Sequence, residues 1–576
     1  MVRTAWLTSV ALCVVFGGVA FGAANASRPG DLALDPPTIH CLSVQWLIGG
    51  DANENARVSV EYRKSGDETW HEGLPLFRTE TEALKKKPPA GMTLLAGSIF
   101  DLEPETAYEL RLTLTDPDGG DDQRALNART RGEPRGPEPV RVVHVVPGEG
   151  GGRGTEGDPF RGLAEADKAA RPGDLILVHK GVYPATFTVT KSGAPDRPII
   201  WRGAGDGEAI IDGGIGGGQR AARGISATEI HDVWFERLTV RGADWAIVAH
   251  CSQRIVVRRC HLHKVEYGFT GTRNDPLLTT DFFLADNVVE GPSTWPRTKG
   301  IENARGFQVS GLGHVVCYNR IRGFADGVDT FGSPECSAID IYGNEISEMT
   351  DDGIEADYSQ QNVRVFRNRL TNCFQGITEQ PIFGGPVYIF RNAMYNIQLE
   401  TFKMHNRPSG FLLFHNTSVK QGMPWVLWTG ERVRNAVSRN NLFIGTQSNF
   451  AMEFTAPMER CDFDYDGFGG GPFSQFAKWN NVRYDTFEDF RRKAPVEKHA
   501  VLVDPARAFA SRVRQPADVK RRFPVETNDL RLSPTSGAVD AGEVLPNIND
   551  GYRGQAPDLG AYEVGDDLPH YGPRPE

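Results

Sequence analysis

Apolar and polar residues alternate along residues 34–131, with turn-forming residues between the runs, and this pattern predicts a β-sandwich. Ser43–Leu47, which carries Trp46, and Val58–Tyr62 read as two of its strands, and Glu109–Leu114 as a third. The third is entered through Leu102, Pro104, Thr106 and Tyr108 at alternate positions. A tyrosine at such a corner can return its hydroxyl to the backbone upstream, a device of immunoglobulin-like sandwiches. Residues 132–140, rich in Pro, Gly and charge, predict a linker.

Beyond the linker the apolar runs shorten and begin to repeat, and no repeat contains a ten-residue helical pattern. Tyr342-Gly343-Asn344, Phe366-Arg367-Asn368, Phe390-Arg391-Asn392, Phe414-His415-Asn416 and Ser438-Arg439-Asn440 place successive asparagines 24 residues apart. The series extends back to Asn319 and Asn287 and forward to Asp464. Such a period marks a stacked repeat, and its short strands predict the coils of a parallel β-solenoid over residues 141–480. Coils about 4.8 Å apart would set the asparagines in a column, bonded side chain to side chain. The Gly-rich stretch before Asp158 lacks the Gly-Lys-Ser/Thr ending of a phosphate loop and reads as the solenoid's capped start. Residues 481–576 leave the period and read as a C-terminal cap segment over the open sheet end, with Asp540, Asp558 and Glu563 as structural acids.

Composition narrows the partners. A formal net charge of −11 disfavours a nucleic-acid backbone, and an acidic polymer would need local cations. Arg3, the apolar run Ala11–Gly22 and Ala24-Asn25-Ala26 read as a signal peptide over residues 1–26, so the protein is expected to be secreted, periplasmic or on the cell surface. No later stretch is long enough to span a membrane. Of eight cysteines, Cys13 falls in the leader; seven remain, with no CxxC pair, which indicates neither a disulfide framework nor a zinc site. The protein is expected to be a monomer.

Counting forward from the ladder asparagines reaches Ala325–Asp329, Asp351–Asp357, Gln375–Thr378 and Thr401–His405. Val328, Ile354, Ile377 and Phe402 share a phase and should point inward; Asp329, Glu355, Thr378 and Lys403, with Asp357 and His405, should point outward. Asp326, Asp351 and Asp352 would sit at the turn just before this strand. Asp-Gly is ordinary turn chemistry and an exposed acid is ordinary too. Two Asp-Gly pairs in register, each followed by another acid and then by a lysine on the same face, are what mark a site. Carboxylates stacked at coil spacing need a compensating cation. An all-oxygen set of Asp326, Asp329, Asp351, Asp352 and Glu355 suits Ca²⁺, whereas a lone neighbouring His405 disfavours zinc. Asp357, Arg273, Trp295, Arg297 and Arg407, with Lys299, Trp425 and Trp428, are candidate substrate walls, since aromatics suit sugar faces and arginines suit carboxylates.

Residues 140–480 resemble the right-handed parallel β-helix of the pectate-lyase superfamily, and residues 34–131 resemble a fibronectin type III module. Asp326-Gly327, Asp351-Asp352-Gly353-Ile354-Glu355 and Phe402-Lys403 are similar to motifs of the family-nine calcium-dependent polysaccharide lyases. The resemblance implies an all-β fold, a right-handed parallel β-helix preceded by an immunoglobulin-like sandwich. It also implies Ca²⁺ held by Asp326, Asp351, Asp352 and Glu355, with Lys403 as the base; Glu355 stands where the family has aspartate. His405 is a second candidate proton carrier. The expected reaction is β-elimination on an acidic, uronate-containing polysaccharide. Two readings stay open beside it: a glycoside hydrolase pairing Glu355 or Asp357 with Asp329 or Asp352, and a non-catalytic carbohydrate-binding or surface protein.

Overall fold

The computed structural model describes residues 25–576 apart from 215–219, 273–278, 299–302 and 331–335. The expected leader therefore lies almost wholly outside the described residues, as do Arg273 and Lys299.

Strands Arg28–Leu34, Leu42–Gly49, Met92–Ile99 and Phe77–Arg78 form one sheet of the N-terminal sandwich; His71–Gly73, Arg57–Lys64, Ala107–Thr115 and Asp122–Arg129 form the other. The sandwich begins six residues before the expected start at residue 34, because Pro29, Gly30 and Asp31 mask its first strand with turn chemistry. Inward positions Val44, Trp46, Ile48, Val58, Val60, Leu110, Leu112 and Leu114 are all buried between the sheets. At the corner, the Glu103 backbone N–H donates to Tyr108 Oη at 2.8 Å.

From Arg141–Val146 onward the chain winds as a right-handed parallel β-helix built on a 15-stranded and a 20-stranded sheet. The helix Leu163–Ala169 packs against the first coil. Val328, Ile354, Ile377 and Phe402 stack in its interior, fully buried.

The asparagine column is present and continuous. Nδ2 of Asn287, Asn319, Asn344, Asn368, Asn392 and Asn416 each donates to the next side-chain carbonyl at 2.9–3.0 Å. Its upper end differs from expectation: the rungs are Asn441 and Asp466, not Asn440 and Asp464. The reason is backbone conformation. The residue before each rung takes a left-handed φ, at Tyr318 (54°), Arg367 (51°), Arg391 (54°), His415 (51°), Asn440 (60°) and Tyr465 (59°). Asparagine tolerates that region well, so Asn440 occupies the corner and Asn441 the rung. Asn368→Ala would orphan the Ile341 carbonyl and the Asn344 N–H in a dry interior. It is expected to cost about 3 kcal/mol, read as a lowered denaturant midpoint; an unchanged midpoint would show that the column is idle.

The sandwich lies on the outer face of the 15-stranded sheet. Phe100 meets Tyr388 and Phe390 edge-on at 4.9 and 5.0 Å, and Asn362 Nδ2 donates to Asp35 at 2.7 Å. Between the two units the Arg364–Asp340 ion pair is completely buried, and Arg364 also donates to Ser98 Oγ at 3.2 Å. This covering explains why Tyr342, Phe366, Phe390 and Phe414 sit apolar on an outward face.

Residues 481–576 do more than close the open end. After Val501–Leu502 pairs with Gly467–Gly469, the chain runs back along the coils. Tyr395 Oη donates to the Arg514 carbonyl at 2.8 Å, the Gly572 N–H donates to the Gly343 carbonyl at 2.9 Å, and Arg574 pairs with Asp286 at 2.8 Å. Asp558 accepts the Asp540 N–H at 2.9 Å and Glu563 the Asp558 N–H at 3.1 Å, so these acids brace turns. The seven described cysteines are all free thiols. Among the described residues no helix is long and apolar enough to cross a membrane.

Candidate functional site

Strands Arg305–Val309, Asp326–Asp329, the end of Glu345–Glu355, the end of Arg369–Thr378 and Phe402–Lys403 are successive rungs of the 20-stranded sheet. Register pairs Gln308 with Asp329, Asp329 with Glu355, Glu355 with Thr378 and Thr378 with Lys403, the outward column expected from alternation. A second column carries Arg305 beside Asp326, and the Asp352 N–H donates to Asp326 Oδ1 at 3.1 Å. Asp326, Asp351 and Asp352 lie within strands rather than at the expected turn. The two Asp-Gly pairs have a packing cause: a Cβ on Gly327 would fall 2.5 Å from the Gly353 carbonyl oxygen, and one on Gly353 would fall 2.6 Å from that of Gly376. Each acid therefore stands outward beside a glycine that the neighbouring coil crowds.

Oxygens of Asp326, Asp352 and Glu355 converge within 4.8 Å of one another, and all three residues are buried. Asp352 Oδ1 and Glu355 Oε2 have no hydrogen-bond partner among the described residues. Lys403, two coils on, folds its side chain back across the intervening coil and places Nζ 3.1 Å from Asp352 Oδ2. Two expected ligands stand outside this triad. Asp329 is taken by Arg305 at 2.6 Å and by Gln308 at 2.8 Å, and Asp351 faces Arg297 at 3.4 Å.

Burial, then the Asp352 charge, raises the Asp326 carboxyl well above its usual range, with Arg305 opposing. Burial, then Asp326 and Asp329, does the same to Glu355. Burial and Asp352 push Asp351 up to about 6. Burial works to lower the Lys403 ammonium, yet Asp352, Asp351 and Asp357 outweigh it and carry it above its ordinary value. Among the described residues, Asp326, Asp329, Asp351, Asp352, Glu355 and Asp357 thus share the cationic side chains of Arg297, Arg305 and Lys403. Hard oxygen donors, two of them without a hydrogen-bond partner among the described residues, fit a Ca²⁺ ion, whose ligand oxygens sit 2.3–2.6 Å from the metal.

The other expected residues separate. Asp357 is buried and braces the corner, its Oδ1 accepting from Thr378 Oγ1 at 2.8 Å and the Gln380 N–H at 2.7 Å. Trp295 is also buried, its indole N–H donating to the Arg521 carbonyl at 3.2 Å, and is part of the loop's anchorage rather than a sugar platform. Arg297 lies over the Phe374 ring at 4.4 Å while facing Asp351. His405 Nε2 is 3.1 Å from Glu400 Oε2, and Arg407 is exposed two residues on. Three site residues were not anticipated: Arg305, Glu379 and Glu400. The loop between Asn287 and Asn319 lengthens that coil and hides Arg305 from a count made at constant period. Glu379 and Glu400 fall at positions whose phase predicts interior residues; both are buried, and neither Glu379 oxygen has a hydrogen-bond partner among the described residues.

Fold and site together define a right-handed parallel β-helix with an acid-and-lysine face. The chain is 25% identical to Pectate lyase L of Dickeya chrysanthemi over 449 residues, 73% of this chain and 90% of that protein. It is 24% identical to Pectate lyase L of Dickeya dadantii (strain 3937) over 444 residues, with the same coverage of each. No family model matches. Among solved structures, the complex of XylC with xylose aligns over 63% of this chain and 82% of its own at 11% identity, with a TM-score of 0.37.

Proposed function

We propose that this carbohydrate-active β-helix protein is an exported, calcium-dependent polysaccharide lyase that cleaves a uronate-containing polysaccharide by β-elimination. The observation that carries the reading is the convergence of Asp326, Asp352 and Glu355 beneath a lysine delivered from two coils away. Export fits a substrate too large to be taken up intact, and the leader pattern agrees with it.

In this reading Lys403 Nζ, as the free amine, removes the proton on the carbon next to the uronate carboxylate. The electron pair left behind forms a carbon–carbon double bond, the bond to the glycosidic oxygen breaks, and that oxygen leaves with a proton. Held by Asp326, Asp352 and Glu355, Ca²⁺ would supply the positive charge that stabilises the negative charge developing on the carboxylate. The acids tie the base to the site's occupancy. Uncompensated, they hold Lys403 protonated; a general base works best with its pKa near the working pH, so the same acids must be neutralised before the lysine can act. Arg305 keeps Asp329 and part of Asp326 engaged, leaving the Glu355 and Asp352 oxygens free to turn toward a cation. His405, set against Glu400, is the second group able to carry a proton, toward the leaving oxygen.

Purified protein incubated with a panel of acidic polysaccharides is expected to generate unsaturated uronate, seen as near-ultraviolet absorbance, with Ca²⁺ and not after exhaustive chelation. New reducing ends without absorbance would assign a hydrolase instead, and activity that survives chelation would remove calcium from the reaction.

A further inference from the structure

Of the two tryptophans that follow the lysine coil, the fold buries one and displays the other. Trp425 is fully buried in the solenoid interior, stacked on Phe443 at 4.2 Å, whereas Trp428 is 46% exposed. An exposed indole normally gains by folding down onto apolar surface. Trp428 is instead tied at two points to charged groups. Its backbone N–H donates to Glu400 Oε1 at 2.9 Å and its indole N–H to Glu453 Oε2 at 3.0 Å. Glu453 is itself held by Lys478 at 3.4 Å, and Glu400, almost completely buried, stands 3.1 Å from His405 Nε2. Glu400 thus ties the Trp428 backbone to the coil that carries Lys403 and His405, while Glu453 holds the indole N–H, so the ring is oriented before any ligand arrives.

We propose that Trp428 is a sugar-stacking subsite for the polysaccharide chain, one coil beyond Lys403 toward the C-terminus. The substrate class rests on the lyase reading above; the subsite itself rests on the held, exposed ring. A pyranose presents a face of C–H groups that packs on an indole, and a ring already fixed in place loses little rotamer entropy on binding. Nothing in this contact depends on the uronate charge. Arginine and lysine contacts to carboxylates weaken as salt rises, but the stacking contribution persists.

The test uses the full chain in a Lys403→Ala background, so that polymer stays uncleaved, and measures affinity for each acidic and neutral polysaccharide of the panel at low and high salt. Adding Trp428→Ala is expected to weaken binding about tenfold, with the loss persisting at high salt. Adding Trp428→Tyr, which keeps an aromatic face, is expected to retain most of the affinity, separating loss of the platform from loss of local structure. Equal affinity with and without Trp428 overturns the subsite and leaves the lyase reading standing. Trp428-dependent binding of a polymer that the wild-type protein never converts to unsaturated product supports the subsite and defeats the lyase reading. Failure to bind any polysaccharide overturns both.

Discussion

Lys403→Ala is expected to lower the rate of unsaturated-product formation by about 10²–10⁴-fold, the usual worth of a positioned general base. The substitution removes an amine whose Nζ reaches the buried acids across a coil, at 3.1 Å from Asp352. Lys403→Arg should do no better, because a guanidinium stays protonated at any working pH and cannot accept the proton. The loss should appear in kcat, since the lysine acts on the proton in flight rather than on the bound chain. One structural effect must be held apart: without Lys403 the fully buried Asp352 loses its ion-pair partner, and an unpaired buried charge is costly. Comparing both variants with wild type at saturating Ca²⁺, where the acids have another counter-charge, isolates the chemistry. An alanine variant that keeps most of the wild-type rate would take the lysine out of the reaction and return the proton transfer to His405 and Glu400.

How much of this could be read beforehand follows from what a solenoid encodes locally. The period of the asparagines, the inward phase of Val328, Ile354, Ile377 and Phe402, and the outward column from Asp329 to Lys403 all depend on alternation within a strand and a nearly constant coil length; both are properties of the chain itself. What escaped depends on events between coils or outside them. The ladder shifted to Asn441 and Asp466 because two coils run 25 residues, and the left-handed corner favours asparagine as much as the rung does. Arg305 was hidden by the loop that lengthens its coil. Trp295 looked like a sugar platform until the returning C-terminal segment supplied the Arg521 carbonyl that holds it, a contact 226 residues distant in the chain. Asp329, on the face that alternation gives it, has its carboxylate engaged by that same hidden arginine. The outward acids were expected in solvent; the neighbouring coils and loop bury them, and that burial turns an ordinary acidic surface into a site with raised carboxyl pKa values.

That burial gives the second large effect, a pH-dependent stability that Ca²⁺ should reverse. Asp326, Glu355, Asp357 and Glu379 are each raised well above the carboxylate range, first by burial and then by neighbouring acids, and Asp351 is raised to about 6. In the unfolded chain these groups titrate near 4. Between that value and their native pKa the folded protein holds protons that the unfolded chain has released, so stability must fall as pH rises. The contribution is complete below about pH 4, Asp351 has lost its share as the pH passes about 6, and the four other raised groups lose theirs in the same direction as pH rises. Lys403, raised above its ordinary value, titrates beyond this window and does not offset the trend. A cation that binds only the ionised carboxylates works against the slope, because its binding releases the same protons and so tightens with pH. At about one hundred times its dissociation constant it adds about 2.7 kcal/mol to the folded state. Calorimetric midpoints in chelator are therefore expected to fall from pH 5 to pH 8. Added Ca²⁺ should change the pH 5 value little and raise the pH 8 value by several degrees. Asp352→Asn should lose most of that gain at pH 8 while melting higher than wild type in chelator, because it removes one of the crowded charges and keeps the shape. If Ca²⁺ leaves the pH 8 midpoint where chelator puts it, the triad does not hold the ion, and the acids must be explained as a proton store.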